Sequence, residues 1–389
     1  MKKKLIVLGR GTAGALAMAH FVRWMPECEL EWHFDPLIAT QTVGEGSSLL
    51  FPRNLFHTLD FTHEDLNKVN GSFKTGIAKE GWGKKGKAFI HNFPPPNVAY
   101  HFNAVMLQDY ILSILKNKVK VVENNISSNE LDANFIMDCS GKPKTLEKFD
   151  ISSYIPVNSV HVTQCDWDYP RFQYTLTVAR PYGWVFAIPL QDRCSVGYLY
   201  NKDINTLEDV KKDVNYIFDK YDLIPSDKTN SFSFGNYTRK KNYNGNIVYN
   251  GNASFFLEPI EATSIDVMDL IQRGCYDLWN GVIDEDVANN SYKEFLTQTE
   301  VIIMMHYFAG SPFKTAFWEF AKERGVRCMN KAKDDNTFRF LCESAKKVKS
   351  FGNNDYQSEI NDVPYGTWLI NNFYQNIKGL DIENELDSL

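Results

Sequence analysis

Two short stretches of this 389-residue chain carry residue types and spacings that could do chemistry. Gly9-Arg10-Gly11-Thr12-Ala13-Gly14 is a GxGxxG run lying between an apolar stretch and a run of alanines. Glycines at those positions permit a tight turn and let a pyrophosphate approach a helix N-terminus, so Gly9, Gly11, Thr12, Ala13 and Gly14 are candidate dinucleotide contacts. Asp35 follows Gly14 by 21 residues, at the end of the next apolar alternation, where a carboxylate can accept from ribose hydroxyls. Its competing role is that of a turn residue before Pro36. The second stretch is Phe73-Lys74-Thr75-Gly76-Ile77, a lysine set among apolar neighbours. Such a lysine is either a strand residue whose ammonium reaches solvent, or an amine held in a closed site with an altered proton affinity. The stretch by itself does not choose.

The elements that must position these groups are legible in the pattern. Residues 4–8 (KLIVL) form a short apolar run that predicts a buried strand, AGALAMAHFVRWM predicts a helix ending at Pro26, and LEWHFD (30–35) predicts a second strand. Strand, glycine turn, helix and strand make a βαβ unit. FIMDCSG (135–141) is a further apolar strand ending in glycine. Between 160 and 200 aromatic or branched residues alternate with polar ones, predicting an antiparallel sheet distinct from the nucleotide layer. From about 266 the pattern becomes helical. FRFLCESAKKVKSFG and GTWLINNFYQNI are candidate helices around a loop at GNNDYQ, with DIENELDSL as a frayed end.

Composition narrows the class. A 43% hydrophobic and 14% aromatic chain has ample material for a packed core. Lys+Arg 42 against Asp+Glu 48 gives a net charge of −6, which disfavours a general nucleic-acid binder. Seven scattered cysteines without a CxxC pair predict reduced, buried thiols. No HExxH or paired histidine spacing points to a metal, and no GxSxG elbow to a hydrolase. The apolar run after MKKK stops within four residues, too short for a secretory leader, and no stretch is long enough to span a membrane. A cytoplasmic protein is expected, and a homo-oligomer is compatible with everything above.

FAD is expected over NAD as the tightly bound cofactor. Asp138-Cys139-Ser140-Gly141 resembles the [ATS]-G strand end of flavoproteins of the glutathione-reductase-like and hydroxylase-like type. Gly251-Asn252-Ala253 resembles their later GD strand, with Asn252 in place of the aspartate. These add Gly141 and Asn252 to the cofactor candidates.

The ordered set of motifs resembles the tryptophan-halogenase family of flavin-dependent halogenases over about residues 4–318. The matching stretches are LIVLGRGTAG, VGEGSS (43–48), SFKTGI (72–77), AYHF (99–102), FIMDCSG, GWVFAIPL (183–190), VGYLY (196–200), NGNASFFLEPIEATSI (250–265), GCYDLWNG (274–281) and HYF (306–308). The resemblance implies an α/β fold: a Rossmann-like, hydroxylase-like FAD-binding domain with an antiparallel β substrate layer and a helical C-terminal region. The expected division is a FAD-binding module over 1–265, its substrate side at about 70–130 and 155–240, followed by a mainly helical region over 266–389.

The same resemblance implies a division of labour. Reduced FAD (FADH2), O2 and a halide (chloride, bromide or iodide) give hypohalous acid, which travels to a separate pocket and is held there by Lys74 with help from Glu261. Thr263 and Ser264 supply backbone N–H groups for the halide. Where the family more usually has Ser-Thr-Gly, this chain has Ala262-Thr263-Ser264; the added Cβ implies a reshaped halide pocket favouring bromide or iodide. Glu45 belongs to the strap between flavin and substrate regions. Trp184 and Phe186 stand at the family's WxWxIP element, with Phe186 replacing its second tryptophan, and keep substrate away from the flavin. His91 and Phe93 resemble an HxF element that sandwiches an aromatic ring.

Residues 330–389 show no clear counterpart to the elements that enclose free tryptophan, so a more open site accepting small indole- or phenol-like rings is expected. A single GxGxxG implies a separate NAD(P)H-dependent flavin reductase as partner. The alternatives are an FAD-dependent aromatic monooxygenase on the same scaffold and a flavin-binding relative without activity.

Overall fold

The apolar run at the N-terminus forms the strand Lys4–Leu8, in which Leu5, Ile6, Val7 and Leu8 are all buried, and the alanine-rich stretch after the glycines forms the helix Thr12–Trp24. The computed structural model describes residues 2–38, 44–348 and 363–387, so the loop expected at GNNDYQ lies outside the described residues. Lys4–Leu8 is central in a six-stranded sheet ordered Tyr243–Asn244, Ile247–Tyr249, Phe135–Asp138, Lys4–Leu8, Glu29–Phe34 and Lys120–Glu123. Every neighbouring pair is parallel except the Tyr243–Asn244 hairpin at one edge. Parallel strands buried on both faces read as continuous apolar runs, which is why KLIVL and FIM are recognisable in the sequence.

The block from 160 to 200 forms the centre of a second, seven-stranded sheet. Its order is Ile224–Ser233, Ser159–Asp166, Arg193–Tyr200, Gly183–Pro189, Thr175–Arg180, Gly76–Glu80 and Phe89–Asn92. It is antiparallel throughout except where Thr175–Arg180 runs parallel to Gly76–Glu80. All residues of Gly183–Pro189 are buried because the sheet is covered on both faces. Trp184, Phe186 and Ile188 point into the main core, while Val185 and Ala187 join a second cluster under the helices Leu207–Asp213 and Asn215–Lys220. The period-two alternation of a strand makes this split.

A small antiparallel sheet, Gly44–Gly46, Ala99–Asn103 and Ser72–Lys74, joins the two layers. The helices Ser264–Trp279, Glu285–Ala309, Ala316–Ala332 and Asn336–Lys347 follow, then Ile370–Leu380 and the short Glu383–Asp387. One hydrophobic core runs from Leu5 to Ile382, so no break in packing marks residue 265. All seven cysteines are buried free thiols. Among the described residues no helix is long and apolar enough to cross a membrane.

Candidate functional site

The C-terminal ends of Lys4–Leu8, Phe135–Asp138 and Ile247–Tyr249 converge on the start of the helix Thr12–Trp24, the edge where open parallel sheets bind ligands. Close backbone packing there forbids side chains. A Cβ on Gly9, whose φ is +106°, would lie 2.3 Å from the Cys139 carbonyl oxygen, and one on Gly14 would lie 2.1 Å from that of Gly9. A Cβ on Gly251 would lie 2.6 Å from that of Ala13. Gly11 and Gly141, by contrast, face open space. Gly11 caps the helix without a side-chain hydrogen bond, and the first turn holds no acidic residue. The first amide groups are therefore available to an anion, and the cradle fits the pyrophosphate of a dinucleotide.

Asp35 stands just past Glu29–Phe34, accepting from the Leu37 amide at 2.8 Å and from the Asn125 amide side chain at 2.9 Å. The turn contact is thus present at the position suited to a ribose. Arg10 turns away from the cradle to pair with Asp109. Asn252 is exposed at the sheet edge, and its carbonyl oxygen accepts from the Tyr237 hydroxyl at 2.9 Å.

The strap links this edge to a second site. The Thr12 hydroxyl donates to Glu45 at 2.9 Å, and burial pushes the Glu45 carboxyl up to about 7 against that hydrogen bond. Two residues on, the Ser47 carbonyl oxygen accepts from the Lys74 ammonium at 2.7 Å. Lys74 is only 1% exposed, which resolves the choice the sequence left open: it is an enclosed amine. Burial lowers its pKa to about 8, opposed by the charges of Glu261 and Asp266. Its nitrogen lies 5.6 Å from the Phe93 ring centroid.

Glu261 is brought to this pocket by the turn after Glu258, where Ala262 adopts a left-handed φ of +53°. The carboxylate bonds to Lys79 through Oε1, while Oε2 accepts from the Trp368 indole at 3.1 Å and faces His91 Nδ1 at 3.5 Å. Burial alone would raise its pKa, yet the Lys79 charge and the His91 contact hold it well below the usual carboxylate range. The direct partner of Glu261 is Lys79, and Lys74 senses the carboxylate through space.

Thr263 and Ser264 open the 16-residue helix Ser264–Trp279, with Thr263 buried at its cap. Within the first turn, Asp266 accepts from the Ser48 hydroxyl, and burial lifts its carboxyl to about 7. Trp184 and Phe186 lie on the strand Gly183–Pro189, their rings 6.3 Å apart. The tip of the Phe186 ring fills the space that a Cβ on its cross-strand neighbour Gly197 would take. Glu258 accepts from the Tyr307 hydroxyl at 2.7 Å, and burial pushes it up to about 8 against contacts from Tyr307 and Trp184.

His91 is enclosed: Asn372 donates to its Nε2 at 2.7 Å, and its ring meets Trp368 edge-on at 6.0 Å. Phe93 is the less enclosed of the pair. The expected open end is therefore filled. Trp368 and the helix Ile370–Leu380, which packs on Phe89–Asn92, close the pocket from the stretch GTWLINNFYQNI, legible in the sequence as a helix but not as part of the site.

The residues missed in the sequence are Lys79, His306, Asn376 and Trp368. Two left a signal. Lys79 shares a strand face with Ile77, and His306 interrupts the apolar run VIIMMHYFA; a polar group in either setting requires a partner. Nothing local marks Asn376.

The cradle fits a dinucleotide such as a flavin cofactor, and the strap joins it to a buried lysine pocket. The tryptophan halogenase family model matches residues 4–118 and 97–333, and the chain belongs to this family of flavin-dependent halogenases. It is 24% identical over 360 residues to Tryptophan 7-halogenase RebH of Lentzea aerocolonigenes, covering 77% of this chain and 67% of that enzyme. It is 24% identical over 275 residues to Tryptophan 6-halogenase ThaL of Streptomyces albogriseolus, covering 62% and 51%. The chain thus spans about half to two thirds of the curated relatives' length. In fold it is similar to Xcc4156, a flavin-dependent halogenase from Xanthomonas campestris, with a TM-score of 0.79 at 19% identity, covering 100% of this chain and 92% of that one. BrvH, a flavin-dependent halogenase from Brevundimonas sp. BAL3, gives a TM-score of 0.78 at 16% identity, covering 100% and 93%.

Proposed function

We propose that this chain is an FADH2-dependent halogenase that makes hypohalous acid from halide and O2 and uses it at Lys74 on an electron-rich, indole- or phenol-like ring. The observation that carries this reading is Lys74 itself: an amine 1% exposed that has, among the described residues, a single hydrogen-bond acceptor. Its remaining nitrogen valences are available to a small guest.

Bound FAD, once reduced, supplies the electrons that activate O2 for halide oxidation. Gly9, Gly11, Thr12, Ala13 and Gly14 would hold its pyrophosphate, with Asp35, Gly141 and Asn252 along the same edge and Glu45 on the strap. Backbone N–H groups of Thr263 and Ser264, at a helix start, suit a halide. The Ser264 side chain, where the family more usually has glycine, reshapes the halide pocket, and on that ground bromide or iodide is the expected halide. Trp184 and Phe186 keep the aromatic substrate from the cofactor.

At the far pocket the Lys74 ammonium donates to the oxygen of hypohalous acid. Alternatively, the free amine captures the halogen, forming an N–X bond and releasing water. Glu261, held anionic, stabilises the positive charge that builds on the ring, and Phe93 offers a flat face beside Lys74. A separate NAD(P)H-dependent flavin reductase would supply FADH2.

The replacement at Phe186 favours one second reading, an FAD-dependent aromatic monooxygenase. Incubation with FAD, flavin reductase, NADH, O2 and mixed chloride, bromide and iodide over a panel of phenols, indoles and anilines decides between them by mass spectrometry. Halogenated product from wild type and none from Lys74→Ala is expected, with bromide or iodide incorporated ahead of chloride. Hydroxylated product without halogen would hand the assignment to the monooxygenase. Equal halogenation by both proteins would remove Lys74 from the chemistry.

A further inference from the structure

Two lysines five positions apart are buried in one pocket, and their hydrogen bonding differs in kind. A lysine ammonium has three protons to donate and nothing with which to accept. Lys79, fully buried, meets three acceptors: Glu261 Oε1, Asn376 Oδ1 at 2.5 Å and His306 Nε2 at 2.5 Å. The histidine is an acceptor because its other nitrogen, Nδ1, lies 3.1 Å and 3.2 Å from the carbonyl oxygens of Ile302 and Ile303, so Nδ1 carries the proton. Glu261 Oε1 and His306 Nε2 lie 3.0 Å apart, two acceptors held together by the ammonium between them. The Asn376 Nδ2 group donates to the Asn372 carbonyl at 2.9 Å, which turns Oδ1 toward Lys79. Every proton of Lys79 is occupied.

We propose that Lys79 is a locked ammonium, a positioning residue that fixes the Glu261 carboxylate and clamps the helix Ile370–Leu380 over the pocket, leaving Lys74 as the amine able to react. This rests on the function proposed above. The physical ground is the contrast in valence. A nitrogen with three engaged protons offers no lone pair to a halogen, whereas Lys74 has one acceptor among the described residues. The lock also joins four segments, since Glu261, His306 and Asn376 lie 182, 227 and 297 positions from Lys79. Through Asn376 and Asn372 it reaches His91, and through Glu261 it reaches Trp368. Removing the ammonium would leave the buried Glu261 carboxylate without its counter-charge and the acceptors on His306 and Asn376 without that donor, and would release the helix that closes the site.

Proton–nitrogen correlation spectra of the full chain labelled with 15N-lysine test the lock on the protein alone. One slowly exchanging ammonium resonance is expected. It should be absent from Lys79→Met, present in Lys74→Met and broadened in Asn376→Leu, which removes one acceptor without changing charge. Failure to halogenate would sink the proposed function without touching this spectrum. In turnover, Lys79→Met should lower kcat roughly 10- to 100-fold and raise KM for the aromatic substrate, because misplaced groups cost about that much. Asn376→Leu should raise KM with a smaller loss in kcat, and serves if Lys79→Met does not fold. Absence of a slowly exchanging resonance, or wild-type kcat and KM in these variants, would overturn the proposal. So would a Lys79→Met protein as inactive as Lys74→Met at unchanged KM, which would make Lys79 the reacting amine.

Discussion

At the nucleotide edge the working groups are main-chain atoms within a few residues of the glycines, whereas the lysine pocket is assembled from side chains up to 297 positions apart. The first site is made by what is missing: Gly9 and Gly14 have no Cβ, so strand, turn and helix approach closely and leave amide groups facing outward. The second is made by what is enclosed: two lysines, a carboxylate and two histidines share a region closed to water. A backbone site of this kind is intolerant at the closely packed glycines, Gly9 and Gly14. Charge networks in a dry interior are coupled, and removing one member unbalances the rest.

Substitutions can break or sharpen this contrast. The largest effect is expected from Glu261→Gln, which leaves the Lys79 ammonium buried without its counter-charge. Loss of one partner of a buried pair costs about 3–5 kcal/mol. Denaturant unfolding should show it, and a change below the error of the measurement would mean that the pocket is hydrated and the network loose. Gly14→Ala comes next. Overpacking against the Gly9 carbonyl should cost about 3 kcal/mol and abolish retention of FAD, while Gly11→Ala, facing open space, should leave stability nearly intact. Equal loss in both variants would remove the distinction between packed and ligand-facing glycines.

Trp368→Phe keeps the ring but deletes the 3.1 Å hydrogen bond to Glu261, for about 1 kcal/mol and a modest rise in substrate KM. An unchanged KM would detach this residue from the substrate pocket.

The smallest signal is a slope. Burial raises Glu258 from 4.5 to about 8 and Asp266 from 3.8 to about 7, so between those limits the folded chain binds more protons than the unfolded one. Their contribution to stability is present at low pH and is lost as pH rises toward 8. Lys74, lowered from 10.5 to about 8, acts oppositely: the unfolded chain binds more protons between about 8 and 10.5, and stability recovers across that window. Melts at pH 5, 6, 7 and 8 should show Glu258→Gln flattening the decline. An identical slope in the variant would place the titration elsewhere.

What the sequence by itself determined follows from locality. The cradle, the strand–turn–helix–strand unit around it and the alternation of Gly183–Pro189 depend on residues near one another in the chain, and their periods are written there. Lys74 was visible as an anomaly but not as a buried group, because a single strand cannot show which of its faces is covered. Only the tertiary structure decided that Glu261 pairs with Lys79, that His306 donates from Nδ1 and accepts at Nε2, and that Trp368 lies against Glu261 and His91 in that pocket. These outcomes depend on which distant acceptors a buried proton meets, and burial leaves each donor no water to take instead.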